Sequence, residues 1–143
     1  MQKLYVGDAH MKKRALQFAA SAAVYCTIEI AARGYTHWTM ALTGGVCGMI
    51  LFMLSDNFPN VPIWALGVLG SVFITLAEVL VGTIVNLYLG WHVWDYSDRW
   101  GNILGQICPL FTFLWFLLSS GVLFVMRAIK KIRNNKEERR SKV

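Results

Sequence analysis

VPIWALGVLGSVFITLAEVLVGTIVNLYLG, residues 61–90, carries one charged side chain, Glu78, in thirty positions. As a helix this stretch would be ~45 Å long at ~1.5 Å per residue. Apolar runs beyond ~18 residues mark membrane spans rather than core helices, and the hydrocarbon layer is only ~30 Å thick. The stretch is therefore predicted to cross a bilayer, and to tilt, bend near Gly67, Gly70 or Gly82, or protrude.

Three further apolar runs accompany it, at about 14–33, 38–54 and 102–126. Only RGYTHW (33–38) separates the first two, which predicts a tight antiparallel hairpin. In SDNFPNVP (55–62), Asn60 is the expected N-cap of the next helix and Pro62 lies in its first turn. The chain of 143 residues is 56% hydrophobic and 15% charged, with a mean hydropathy of +0.47. A soluble domain of this size would expose too much apolar surface at that composition. The expected fold is an all-α integral membrane protein with four transmembrane helices. The basic start and the AASAA run (19–23) have some character of a signal peptide. The apolar run continues to Ala32 and contains Glu29, so a retained helix is expected.

The basic residues cluster at both ends. Lys3, Lys12, Lys13 and Arg14 precede the first run, and eight more, from Arg127 to Lys142, follow the last; only Arg33 and Arg99 lie between. The positive-inside rule places both termini in the cytoplasm of a multi-pass protein of the cell membrane. On this reading residues 1–13 form a cytoplasmic segment, 14–128 the transmembrane domain and 129–143 a basic cytoplasmic tail. The tail reads as a topology signal and not as a nucleic-acid contact. Cys26, Cys47 and Cys108 fall within apolar runs without a CxxC pair, as packing thiols do.

The two halves resemble each other. VYCTIEIAARG (24–34) and VFITLAEVLVG (72–82) each place a glutamate after an apolar stretch, with a glycine soon after. WTMALTGGVC (38–47) and WGNILGQIC (100–108) each run from tryptophan through leucine to cysteine. A duplicated two-helix unit is expected, its copies parallel about an axis along the membrane normal.

Glu29 and Glu78 are the sharpest chemical signals, since a carboxylate at membrane depth costs ~2.5–3.5 kcal/mol and needs a partner or a wet cavity. Arg33 lies one turn from Glu29 on the same face, whereas Glu78 has no charged neighbour on its own helix and needs a partner from another. Asn86 lies two turns beyond Glu78, and Asn102 and Gln106 sit one turn apart at the expected start of the fourth helix. Such amides either line a cavity or hydrogen-bond neighbouring helices, at ~1 kcal/mol each. Gly44 and Gly48 form a G-x-x-x-G that lets helices approach closely, and Pro109 is expected to free a carbonyl one turn into the fourth helix.

WHVWDYSDRWGN (91–102) interrupts the last two runs with a dense polar and aromatic patch. Trp91, Trp94, Tyr96 and Trp100 suit an interface belt, and with His92, Asp95 and Ser97 they are expected to form a rigid outer lid. His37, His92, Asp95 and Asp98 lack the spacing of a metal site, and no cofactor motif, nucleophile elbow or Walker A loop is present.

EVLVG (78–82), WDYS (94–97) and NILGQIC (102–108) resemble the signature of the small CmpB-like family of ABC-transporter permeases. Glu29 before RGY (33–35) is similar to that family's first-half glutamate; its proline-rich stretch is represented here only by ALTGGVCG (41–48). The resemblance implies transport with a separate ATPase subunit, because this chain has no nucleotide-binding motif.

The leading expectation is a transporter or channel-like component. Its polar cavity would be lined by Glu29, Arg33, Glu78, Asn86, Asn102 and Gln106 beneath the lid. Membrane lipids and further copies of the chain are the expected partners, with no nucleic acid. The alternatives are a membrane-embedded enzyme or lipid-headgroup binder using the same carboxylates, and a structural or regulatory subunit.

Overall fold

The computed structural model describes residues 2–141, residues 2–9 by their backbone alone. Lys142, counted above with the basic tail, lies outside the described residues. Four helices follow one another: α1 (Gln2–Arg33), α2 (Trp38–Asn57), α3 (Ile63–Gly82) and α4 (Pro109–Ser141). A π-helical segment, Thr83–Tyr88, continues α3, and a loop over 89–108 leads to α4. Among the described residues, these four helices are long and apolar enough to cross a membrane.

Local chemistry sets each boundary. Gly34, at φ +82°, ends α1 in the left-handed turn that glycine adopts most readily, and its N–H donates to Ile30 O at 2.8 Å. His37, in an extended conformation, caps α2 by accepting the Thr39 N–H on its side chain. At α3 the expected cap moves: Pro62, not Asn60, is the N-cap, and it has no side-chain bond. The carbonyls of Phe58 and Val61 in that short turn instead each accept from Arg127 Nη2 of α4 at 2.8 Å.

The fourth helix also departs from expectation. It starts at Pro109, so Asn102 and Gln106 belong to the loop and Pro109 frees no carbonyl inside a helix. Proline lacks an N–H, which makes it a poor interior residue and a good first one. The preceding residues turn sharply, with Gly101, Leu104 and Gly105 all at positive φ and a lone bridge between Ile103 and Ile107. The first helix is longer than expected, beginning at Gln2 and not near Arg14. Within the long apolar run 61–90, α3 passes directly after Gly82 into the π-helical segment, which ends at Tyr88.

Two hairpins make up the bundle. α2 lies against α1 through Gly44, Gly45 and Gly48, where an added Cβ would collide with Tyr25, Phe18 and Ser21 respectively. α3 lies against α4 through Gly67 and Gly70, which face Ser120 and Ser119. α2 is the central element, with 44% of its span buried against 11% for α1 and for α4. It touches α1, α3 and α4, whereas α1 and α4 make no backbone approach to each other among the described residues. A twofold relation between the hairpins would match the α2–α3 contact with one between α4 and α1. Among the described residues no such backbone approach is present, and a groove lies between α1 and α4.

Core residues form three layers along the bundle: Leu51, Leu54, Leu66 and Leu123 near the terminal end; Cys47, Ile74 and Trp115 in the middle; Met40, Val85, Val93 and Trp94 by the loop. Gly44→Ala should lower unfolding stability by about 1–3 kcal/mol, because its Cβ would fall 2.5 Å from Tyr25 Cβ. Gly121→Ala, whose Cβ meets nothing within 4 Å, should leave it near wild type. Thermal unfolding of both variants in detergent checks the pair.

Candidate functional site

Glu78 is only 2% exposed and faces inward from α3. Its partners come from elsewhere in the fold, as its helix requires. Trp115 Nε1 of α4 donates to Oε2 at 2.9 Å, and the Tyr96 hydroxyl of the loop donates to Oε1 at 3.4 Å. A buried carboxylate is costly unless such donors meet it. Burial pushes the Tyr96 phenol above its ordinary range, which keeps it in the form that can donate. Aromatic rings continue around the carboxylate: Tyr96 stacks on Phe111 at 4.3 Å, Phe111 is 6.2 Å from Trp115, and Trp115 is 6.0 Å from Tyr25 of α1.

The groove between α1 and α4 has a volume of about 810 Å³, with α2 as its floor. Glu78 and Ile74 border its inner end, where Tyr25 and Trp115 approach across the gap. Apolar side chains such as Val24, Leu51, Leu118 and Val125 form most of the wall, along with Cys47 and Thr43. Lys13, Asp56, Lys130 and Arg133 stand at the other end, near both termini.

Of the residues expected to line one polar cavity, Glu78 alone borders this groove. Glu29 is engaged by Arg33 Nη2 at 2.5 Å and by the Thr36 hydroxyl. Arg33 Nη1 reaches across to Val93 O at 3.0 Å, so the Glu29–Arg33 pair fastens the end of α1 to the loop. Asn86 sits in the π-helical segment and uses its whole amide: Nδ2 donates to Trp94 O at 3.0 Å and to Gln106 Oε1 at 2.8 Å, and Oδ1 accepts Val93 N–H at 2.7 Å. Gln106 Nε2 in turn donates to Leu104 O, and the Gln106 backbone carbonyl accepts Trp94 Nε1–H at 3.0 Å. Asn102 braces the loop, donating to Ser97 O and Arg99 O and accepting Gly105 N–H. These amides are satisfied within the loop and its base.

The expected lid divides into inner and outer residues. Trp94 is buried at 4% exposure and is not part of an interface belt, because its indole N–H is committed to Gln106. Tyr96 points inward to Glu78. Trp91 and Trp100 are exposed, and Trp91 gathers with His37 and Trp38 in an aromatic cluster. His92 is exposed at φ +51°. Asp95 Oδ1 accepts from the Ser97 hydroxyl at 2.6 Å and its amide at 2.8 Å, and these bonds hold the carboxyl below its ordinary range. His37, His92, Asp95 and Asp98 do not converge as metal ligands among the described residues.

Trp115 and Tyr25 escaped the sequence reading. A signal existed for Trp115, since a tryptophan well inside a span needs a partner for its N–H. Tyr25, equally deep in an apolar run, carries the same kind of hint. The polar mouth of the groove left none, because Lys13, Asp56 and Lys130 come from three separate helices.

Asn86→Leu should destabilise the fold by about 2–5 kcal/mol, since it strands the Val93 N–H and the acceptors it served, at ~1–3 kcal/mol per buried unpaired group. Denaturation in detergent reads the loss. A second expectation concerns pH. Asp95 is depressed on folding, so its contribution is present above its ordinary pKa and is lost as pH falls through the depressed value. Ser97→Ala should shift the Asp95 titration upward in carboxyl-detected NMR.

Comparison with known proteins places the chain. Its residues 17–142 match the model of a family described as "Putative ABC-transporter type IV". No curated protein and no solved structure matches it. The matched stretch takes in α1 from residue 17 onward together with α2, α3 and α4, and the chain belongs to this ABC-transporter-type family of membrane proteins.

Proposed function

We propose that the chain is the membrane-spanning component of a transporter, that the α1–α4 groove receives its substrate, and that Glu78 is the group that recognises it. One observation carries this reading. A buried carboxylate borders the inner, apolar-walled end of the groove, ringed by Tyr25, Tyr96, Phe111 and Trp115. The volume of about 810 Å³ lies within the ~300–1,000 Å³ of small-molecule sites.

The chemistry selects a lipophilic cation. Apolar walls favour an apolar body, aromatic faces and a carboxylate favour positive charge, and an anion would be repelled by Glu78. Trp115 and Tyr96 leave lone pairs of the carboxylate free for a further partner. Entry would be sideways from the bilayer, through the gap where α1 and α4 fail to meet. This replaces the broad polar cavity beneath a lid with a narrower site, because the amides expected there are spent on the loop.

The family label supports a separate ATPase as the source of energy. The link between α2 and α3 is too short for a coupling helix. The helical end of α4 is the better contact for such a subunit: its 33 residues span ~50 Å, some ~20 Å beyond the hydrocarbon core.

Equilibrium dialysis of tetraphenylphosphonium against the purified chain tests the site without needing the ATPase. The wild type should bind it. Glu78→Gln should weaken binding by about tenfold or more, since losing one partner of a desolvated charge pair costs ~2 kcal/mol or more. Glu29→Gln, away from the groove, should change binding little. No binding by the wild type, or equal binding by a folded Glu78→Gln variant, would overturn the reading.

A further inference from the structure

The opposite end of the groove has its own chemistry. Asp56 of α2 is approached by two lysines from different helices, Lys13 of α1 at 3.9 Å and Lys130 of α4 at 3.5 Å. Arg133 joins them at the rim. Among the described residues lining the mouth, three cations stand against one carboxylate, an excess of two positive charges. The lysine side chains keep 57% and 42% of their exposure, and each ammonium has donors beyond its contact with Asp56.

From this rim the groove walls run inward as two parallel apolar tracks. Lys13 to Ile28 on α1 and Leu117 to Arg133 on α4 each cover ~22–24 Å at ~1.5 Å per residue. That exceeds one leaflet, about half of the ~30 Å hydrocarbon layer. Val24, Val125 and Ile129 border the groove yet remain largely exposed, so it lies open along its side. At Gly121, which also borders it, an added Cβ would meet nothing within 4 Å.

We infer that the mouth is a binding site for an anionic phospholipid, with its phosphate held by Lys13, Lys130 and Arg133 and one acyl chain lying between α1 and α4. The apolar track needs an apolar occupant and the rim needs an anion; an anionic phospholipid joins both in one molecule. A helix from a second copy fits less well, because each copy would bring its own basic rim to the same place. The lipid site rests on the basic rim and the open track beside Gly121 and takes no contact from Glu78. It therefore stands whether or not Glu78 binds a cation.

The test is native mass spectrometry of the full chain released from nanodiscs holding phosphatidylglycerol and phosphatidylcholine in equal amounts. The wild type should retain phosphatidylglycerol over phosphatidylcholine by about tenfold or more. Combined Lys13→Gln, Lys130→Gln and Arg133→Gln should erase that preference, each basic contact accounting for about fivefold. Gly121→Phe keeps every charge but fills the open track, and should also lower phosphatidylglycerol retention by about tenfold or more. Thermal unfolding of each variant separates lost lipid from lost fold.

Equal retention of both lipids by the wild type would overturn the proposal. So would loss in the triple variant with none in folded Gly121→Phe, which would reduce the site to surface charge. Displacement of the lipid by inorganic phosphate alone would make it a free-anion site, and a dimer abolished by Gly121→Phe would give the groove to a second copy. Tetraphenylphosphonium binding is read separately, so the failure of one reading does not decide the other.

Discussion

In a bilayer every buried polar group must find its partner within the protein, and Glu78 is where that demand falls hardest. Its two oxygens are met from two directions, by Trp115 on α4 and by Tyr96 on the loop. One carboxylate on α3 thereby fixes the register of α4 and draws the loop down onto the bundle. The stacking of Tyr96 on Phe111 reinforces the same geometry from the α4 side. A hydrophobic side chain at this position would fill space but would leave the Trp115 indole N–H without an acceptor.

The same principle explains why the loop end of the molecule is dense. Asn86 is turned inward by a π-helical segment, an irregularity that often marks specialised positions. It bonds the backbone on both sides of the 93–94 peptide, and Gln106 completes the knot from the far side of the loop. Gly82 leaves room for this arrangement, since a Cβ there would meet the Gln106 amide and the Trp94 ring. Arg33 then ties α1 to Val93. Four separate pieces of chain converge on a few backbone groups.

Sequence pattern revealed the large features because they rest on composition. Apolar runs, basic termini and the need of Glu78 for a partner on another element follow from transfer energetics. The glycines of α2 likewise announced a close contact, although pattern alone did not say with which helix. α4 starts later than expected because Asn102 to Ile107 is apolar enough to imitate the first turns of a span. What decides against a helix there is local: the Asn102 side chain bonds to Ser97 O, Arg99 O and Gly105 N–H, competing with helical hydrogen bonds. Trp94 was assigned to the interface for a similar reason, since tryptophan near a span end usually sits there. Its burial depends on Gln106, a partner twelve residues away in a loop of irregular shape. The groove is not legible in the sequence, because it is defined by a close backbone approach that α1 and α4 do not make.

The bundle is thus closed by hydrogen bonds at one end and held apart at the other. At the loop end α1 meets α4 through the Tyr25–Trp115 ring contact and is tied to the loop by Arg33, which donates to Val93 O. The terminal end has the two lysines sharing Asp56, at 3.5 and 3.9 Å and partly exposed. Exposed ion pairs of this kind are worth ~0–1 kcal/mol, far less than a knot of buried amides. Any relative motion of α1 and α4 therefore costs least at the terminal end, with the loop end as pivot. Such a motion would change the width of the groove at its basic mouth while leaving the surroundings of Glu78 nearly fixed, so one fold can combine a rigidly held buried carboxylate with an adjustable opening.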